Sequence, residues 1–282
     1  MNQHYALESK VMRSVNEALR LNALKLPSLP EVAGQVQAIA ADPGASIDDL
    51  AGAILRDAAL TARLIRIANS PLLRGRVEVR TLPQAITRLG IYYVRDLVIA
   101  LTMEHAFEPR SSAVRQMLQR IWRRSKDVAA ICHVLARHRT LLPAEQAMLA
   151  GLLHLIGALP LLASADEDAQ APVDPVDLFV VIEAHHGQIG GRILRQWHFR
   201  DEIAGVPEAY REHARPGGEA ADFADVVSVA NLLCAPFEGH VYEIPDWGSY
   251  PAARKLGLAS AADFYSSEQM QLDLQRSMNL FS

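Results

Sequence analysis

Residues 147–165 read AMLAGLLHLIGALPLLASA and carry no formal charge. A helix of about 20 apolar residues spans a bilayer, so this stretch decides between a membrane segment and a helical core. Two residues favour the core. His154 would sit near the bilayer midplane, and Pro160 would break the helix inside it. Hydrophobicity on every side of a helix suits a protein interior as well as lipid. The stretch is therefore read as a buried core helix, with no membrane as a partner. On that helix the neighbours of His154 one turn away are Ala150, Gly151, Gly157 and Ala158, and Ala147 extends the row. Small residues in such a row let a second helix backbone come close. This assigns His154 a packing role, as a neutral imidazole satisfying a buried carbonyl or side chain.

The rest of the chain agrees with a helical interior. It has 282 residues, room for one large domain or two modest ones, with 50% apolar and 6% aromatic residues. Abundant Ala and Leu favour helix over sheet. The net charge of −4 gives no bulk electrostatic attraction to nucleic acid or anionic lipid. Cys132 and Cys234 are the only cysteines and form no CxxC, so a reducing cytoplasm is expected rather than a disulfide framework. The opening MNQHYALESKVMR lacks the apolar run and cleavage site of a secretory signal.

Helix signals recur along the chain. A mixed amphipathic helix is expected over 5–24, and Pro30 is placed to open one running to Ala41. Ser46 and Asp49 have the spacing of a capping box. Asp57 caps AALTARLIRIAN, whose Leu60, Leu64, Ile67 and Ala68 share a face. Thr81 caps again, Pro83 lies in the first turn and Gly90 ends that helix. A further helix runs from Tyr92 to about Phe107. EPRSS, 108–112, marks a boundary, beyond which helices are expected at 113–138, 143–163, 175–196, 201–214 and 222–234. Helical signals return in AARKLGL and in ADFYSSEQMQLDLQRSMNLF. VEVRTL, 77–82, is the best strand candidate and is short. The fold class is all-α.

One run joins these signals into a recognisable order. LPSLPEVAGQVQAIAADPGASIDDLAGAILRDAALTARLIRIANSPLL, followed by VRTLPQAITRLG, resembles the HDOD domain of bacterial regulatory proteins. The resemblance rests on the LP-x-LP opening, the acid before the AALT helix, Asn69-Ser70 and Ala85-Ile86-x-x-Leu89-Gly90. It continues through Trp122, Ser125, His154, Glu183 with His186, and Trp197, over roughly 20–215. Ala58 departs from the family, which usually has proline there. The resemblance implies an N-terminal helical bundle packed on a degenerate HD-like helical bundle. The corresponding divisions are 1–19 as an N-terminal helix, 20–110 and 111–215 as the two halves of the domain, and 216–282 as a C-terminal helical extension. It also implies a signalling role, often beside cyclic-dinucleotide enzymes or sensor modules.

HD phosphohydrolases use His and carboxylate ligands from several helices to hold divalent metals that activate water. Matched to that pattern, this chain has Arg124-Ser125 where a His often precedes Ser, and Leu155 after His154. It keeps His186, has Glu212-His213 for a double His, and has Asn231 for the final Asp. The candidate pocket is therefore Arg124, His154, His186, Glu212, His213 and Asn231. Leu155 cannot bridge metals, Asn231 brings no charge, and Arg124 opposes a divalent cation. Arg124 is free instead to pair with Glu212 or to bind a small anionic ligand. His154, His186, Glu212 and His213 remain the residues a metal would use. His185 is expected to be more exposed than His186, and Cys132-His133 is read as a core-and-surface pair.

The expected function is non-catalytic: a cytoplasmic signal-transduction module that contacts signalling proteins or senses a ligand, with no cofactor. A residual metal-dependent phosphohydrolase is one rival. A DNA-binding regulator is another, because AITRLGIYYVRDLVIAL superficially reads as helix, turn, helix. Its second helix offers only Arg95 beside Asp96 and then an apolar run, where groove reading needs several polar side chains.

Overall fold

A computed structural model of the chain describes residues 27–70, 77–105, 107–167, 174–212, 215, 218–234 and 246–280. The expected 5–24 helix lies outside the described residues. Among those described, every regular element is helical.

The N-terminal half runs α1 (Glu31–Ala41), α2 (Ile47–Ile54), α3 (Ala58–Ala68), α4 (Leu82–Leu89) and α5 (Ile91–Thr102), with a 3₁₀ turn at Met103–His105. Local chemistry sets these boundaries. Ser46 and Asp49 form the capping box of α2, and Thr81 and Gln84 form that of α4. Asp57 accepts from the Leu60 amide at 2.9 Å. Gly90 adopts φ +86, a backbone that favours glycine, between α4 and α5. Leu60, Leu64, Ile67 and Ala68 are the buried face of α3.

VEVRTL forms no strand. Its extended backbone pairs with a side chain instead. The Asn69 amide donates to the Val79 carbonyl at 2.6 Å, and the Val79 amide donates to Asn69 Oδ1 at 2.8 Å. Asn69 thus serves Val79 as a neighbouring strand would, which explains its place at the end of α3.

The second half is built on α6 (Ser112–Arg139), with α7 (Ala144–Leu153) packed along it. The EPRSS boundary is anchored by buried Asp166, whose carboxylate accepts from the amides of Arg110 at 2.7 Å and Ser111 at 2.8 Å. Then follow α8 (Ala158–Glu167), α9 (Pro175–Gln196), α10 (Asp201–Ala204), α11 (Val206–Ala209) and α12 (Phe223–Leu233).

Two helix expectations are corrected. The 143–163 segment is broken by a tight turn over 154–157, where i→i+3 bonds such as Ala158 N to Leu155 O replace the helical ladder. The 201–214 segment is two short helices interrupted at Gly205, with Pro207 in the first turn of the second, where it brings no amide for a continuous ladder.

The chain continues through α13 (Pro251–Lys255), α14 (Ala261–Tyr265) and α15 (Glu268–Met278). α15 packs on α6 and α12 packs on both α6 and α7, so the chain beyond 216 is built into the second half. One continuous apolar core runs from Ala33 to Leu280. The 144–166 region is apolar and long enough to cross a membrane, but 89% of its most apolar window is buried within the protein.

The halves are joined by polar contacts as well. Gln37 Nε2 donates to the Trp197 carbonyl at 2.7 Å. Glu104 accepts from Arg63 of α3 at 3.1 Å and from Lys126 of α6. Burial pushes the Glu104 carboxyl up, but together these two cations hold it below its ordinary value.

Candidate functional site

The turn at 154–157 places His154 where α7, α9 and the α11 end converge. Its approach depends on glycine. A Cβ on Gly157 would lie 2.0 Å from the His186 carbonyl oxygen and 2.5 Å from the Gly190 amide nitrogen. A Cβ on Gly151 would lie 2.8 Å from Ala129 Cα. The small row beside His154 therefore does what its spacing predicts, admitting α9 on one side and α6 on the other.

His154 is 0% exposed, and its Nδ1 donates to the Gly151 carbonyl at 2.6 Å. That bond leaves Nε2 bearing a lone pair, with no partner among the described residues. Burial lowers the His154 pKa to about 3. The Gly151 carbonyl opposes the shift, and the Arg124 and His186 charges add to it. His186 is likewise buried and its pKa is lowered to about 3, mainly by burial, with Arg211 and His185 contributing.

Tyr210 joins the two histidines. Its hydroxyl lies 3.1 Å from His186 Nε2, its ring stacks on His186 at 5.8 Å, and it stands perpendicular to the His154 ring at 5.1 Å. The sequence reading did not single out Tyr210. Its only signal is an aromatic residue two positions before Glu212, which has no distinguishing spacing.

Arg124 completes the centre from α6. Its guanidinium is buried, with the residue 6% exposed. Nε and Nη2 donate to Asn231 Oδ1 at 3.0 and 2.7 Å, and Nη2 also donates to the Asn231 carbonyl at 3.0 Å. Pairing with Glu212 is one of the two roles the sequence leaves open for Arg124, and the fold does not form it. Glu212 is exposed, and no ion pair joins it to Arg124 among the described residues. The α11 end turns its carboxylate outward, while α12 carries Asn231 in against α6.

Arg124, His154, His186 and Asn231 are therefore brought together, Glu212 is not, and His213 lies outside the described residues. Among the described residues, no three His, Cys, Asp or Glu side chains group as a metal site. His154 Nε2 has the bare lone pair of a ligand. Its surroundings do not fit a divalent cation, because a fixed guanidinium is nearby, Leu155 follows it and the final position is a neutral amide.

Other histidines differ from expectation too. Cys132 and His133 are both fully buried, so they are not a core-and-surface pair. The long α6 lies between α7 and α15, which covers both sides of it. His185 is only partly buried, as expected. His138, for which the sequence offers no role, bonds buried Asp273 through Nε2 at 3.0 Å.

The DNA-reading helix is also excluded in that role. Tyr93 to Leu101 of α5 are all buried, and Arg95 pairs with Asp96 at 2.5 Å. No basic face is left to enter a groove.

Comparisons with known proteins agree with this architecture. No curated protein matches the chain. The crystal structure of a candidate metal-dependent phosphohydrolase from Shewanella amazonensis SB2B is similar with a TM-score of 0.81 and 26% identity, over 96% of this chain and 97% of that one. An HDOD domain protein of unknown function from Geobacter sulfurreducens gives a TM-score of 0.60 at 20% identity, over 96% and 99%. A candidate signal transduction protein from Marinobacter aquaeolei VT8 gives 0.55 at 18%, over 96% of this chain and 64% of that one. The HDOD domain model matches residues 26–214, and the chain belongs to the HDOD domain family.

Proposed function

We propose that this chain is a non-catalytic regulatory module of cytoplasmic signal transduction, acting through contacts with signalling proteins or through a sensed ligand. The observation that carries this reading is the pairing of buried Arg124 with half-buried Asn231. A guanidinium with three hydrogen bonds to Asn231 fills the side of the pocket where an HD enzyme needs negative ligands. Family membership agrees with a signalling role, as do the neutral histidines locked by Gly151 and Tyr210. Cyclic-dinucleotide enzymes and sensor modules are the partners to try first.

A residual HD-type phosphohydrolase is the second reading. It is favoured by the free His154 Nε2 and by the name given to the Shewanella relative. Metal analysis separates the two. Untagged protein is produced with manganese, iron and zinc available, then measured by inductively coupled plasma mass spectrometry and assayed with bis(p-nitrophenyl) phosphate. The regulatory reading expects no near-stoichiometric metal and no turnover. Bound metal that disappears in His154→Ala, together with metal-dependent cleavage, overturns it.

A further inference from the structure

Away from His154 and His186, the ends of α6 and α13 border an open trough of about 680 Å3. Arg139, Leu141 and Leu142 line one wall, and Arg254 and Gly257 line the other. Arg139 Nη1 lies 4.0 Å from where a Gly257 side chain would begin, so the two walls meet at that turn. Leu142 and Ala221 also line a second, separate trough of about 470 Å3, whose lining carries Asp201, Glu202 and Asp222 with Arg200 and Arg215.

The charge of the larger trough is one-sided. Among the described residues its lining contains no carboxylate, although the chain as a whole carries −4. Lys255 is neutralised by Asp225 at 2.8 Å and His138 bonds Asp273. Arg139 and Arg254 have no hydrogen-bond or ion-pair partner among the described residues. Each sits in the last turn of a helix, where a cation suits the dipole. That accounts for a charge at each helix end. It does not account for the trough between them, nor for Leu141, a fully exposed leucine on its rim.

We propose that this trough binds an extended acidic segment of a partner protein. The carboxylates would sit on Arg139 and Arg254, and the apolar side chains would lie over Leu141, Leu142 and Ala221. Charge complementarity selects an acidic occupant. The open form of the larger trough selects an extended chain over a small molecule, which needs a pocket that encloses most of its surface. The proposal deepens the regulatory reading above and takes its purpose from it, but its test is separate.

The probe is a fluorescein-labelled peptide of alternating glutamate and leucine, titrated with the full chain and followed by fluorescence anisotropy. A lysine-for-glutamate peptide and tripolyphosphate are run in parallel. The expected result is saturable binding of the acidic peptide only, weakened by salt. Arg139→Glu with Arg254→Glu should raise Kd about tenfold or more. Leu141→Ser should also weaken binding, and its exposed position keeps the fold out of the question. Arg80→Glu, an exposed arginine paired with Glu78 in the N-terminal half, should leave Kd unchanged. Absent saturation, equal binding of the lysine peptide, or an equal loss in Arg80→Glu overturns the proposal. Uptake of tripolyphosphate without peptide overturns it in favour of a small anion. A failed regulatory reading shows instead as metal-dependent turnover, so the two failures are distinct.

Discussion

Among the described residues, three imidazoles are buried where they are held neutral. His154 and His186 have pKa values lowered to about 3, and His133 to about 4, chiefly by burial. In each case the folded pKa lies below the unfolded value near 6.5. Their contribution is therefore complete above about pH 6.5 and is lost as pH falls, because the unfolded chain takes up protons that the folded chain refuses. At pH 5 each costs about 2 kcal/mol, a large share of an ordinary domain's stability. Urea midpoints should fall steeply between pH 6.5 and 5, and His154→Gln should flatten that slope. A midpoint unchanged down to pH 5 contradicts the neutral assignment. Arg124 makes the complementary case. Arg124→Ala leaves the Asn231 side chain and carbonyl without their buried donor and should cost about 3 kcal/mol in urea unfolding.

Two helix contacts test the same physics one level up. The turn between α7 and α8 crosses α9 at Gly157. Gly157→Ala puts a methyl against the His186 carbonyl and Gly190 backbone, neither of which has a flexible end to move. The expected loss is about 3 kcal/mol or more, read by thermal melting, while Gly34→Ala on α1, with open space at its Cα, serves as control. On the other side, α15 is held on α6 by Asp273. Burial pushes that carboxyl up, but together His138, Gln269, Arg137 and Arg276 hold it below its ordinary value. Asp273→Ala removes the anchor and should leave α15 open to trypsin at Arg276 under conditions where the parent chain resists.

At the scale of the molecule, the two halves share one apolar core and the Arg63–Glu104–Lys126 and Gln37–Trp197 contacts. Differential scanning calorimetry should therefore record one cooperative transition, with calorimetric and van't Hoff enthalpies in agreement. Two separated peaks would show that the halves fold independently. The chain beyond 216 belongs to the same cooperative unit, because half-buried Asn231 bonds Arg124 of α6 and Asp273 and Ser277 are buried against α6.

Caps, helix faces and the tight approach beside His154 were legible in the sequence. Ser46 with Asp49, Asp57 and Thr81 accept from amides a few residues away, and Gly90 donates its own amide to the Ile86 carbonyl, so local spacing determines them. The row from Ala147 to Ala158 announced a close helix crossing because only absent side chains permit one. What local order could not state is which long-range partner each buried group receives. Arg124 finds Asn231 and not Glu212 because α12 folds back onto α6 while the α11 end turns Glu212 to solvent. Tyr210 enters between the histidines, and the turn at 154–157 replaces a continuous helix, for the same reason. These choices come from packing between segments up to about a hundred residues apart, where the alternatives differ in desolvation and hydrogen bonding rather than in local propensity.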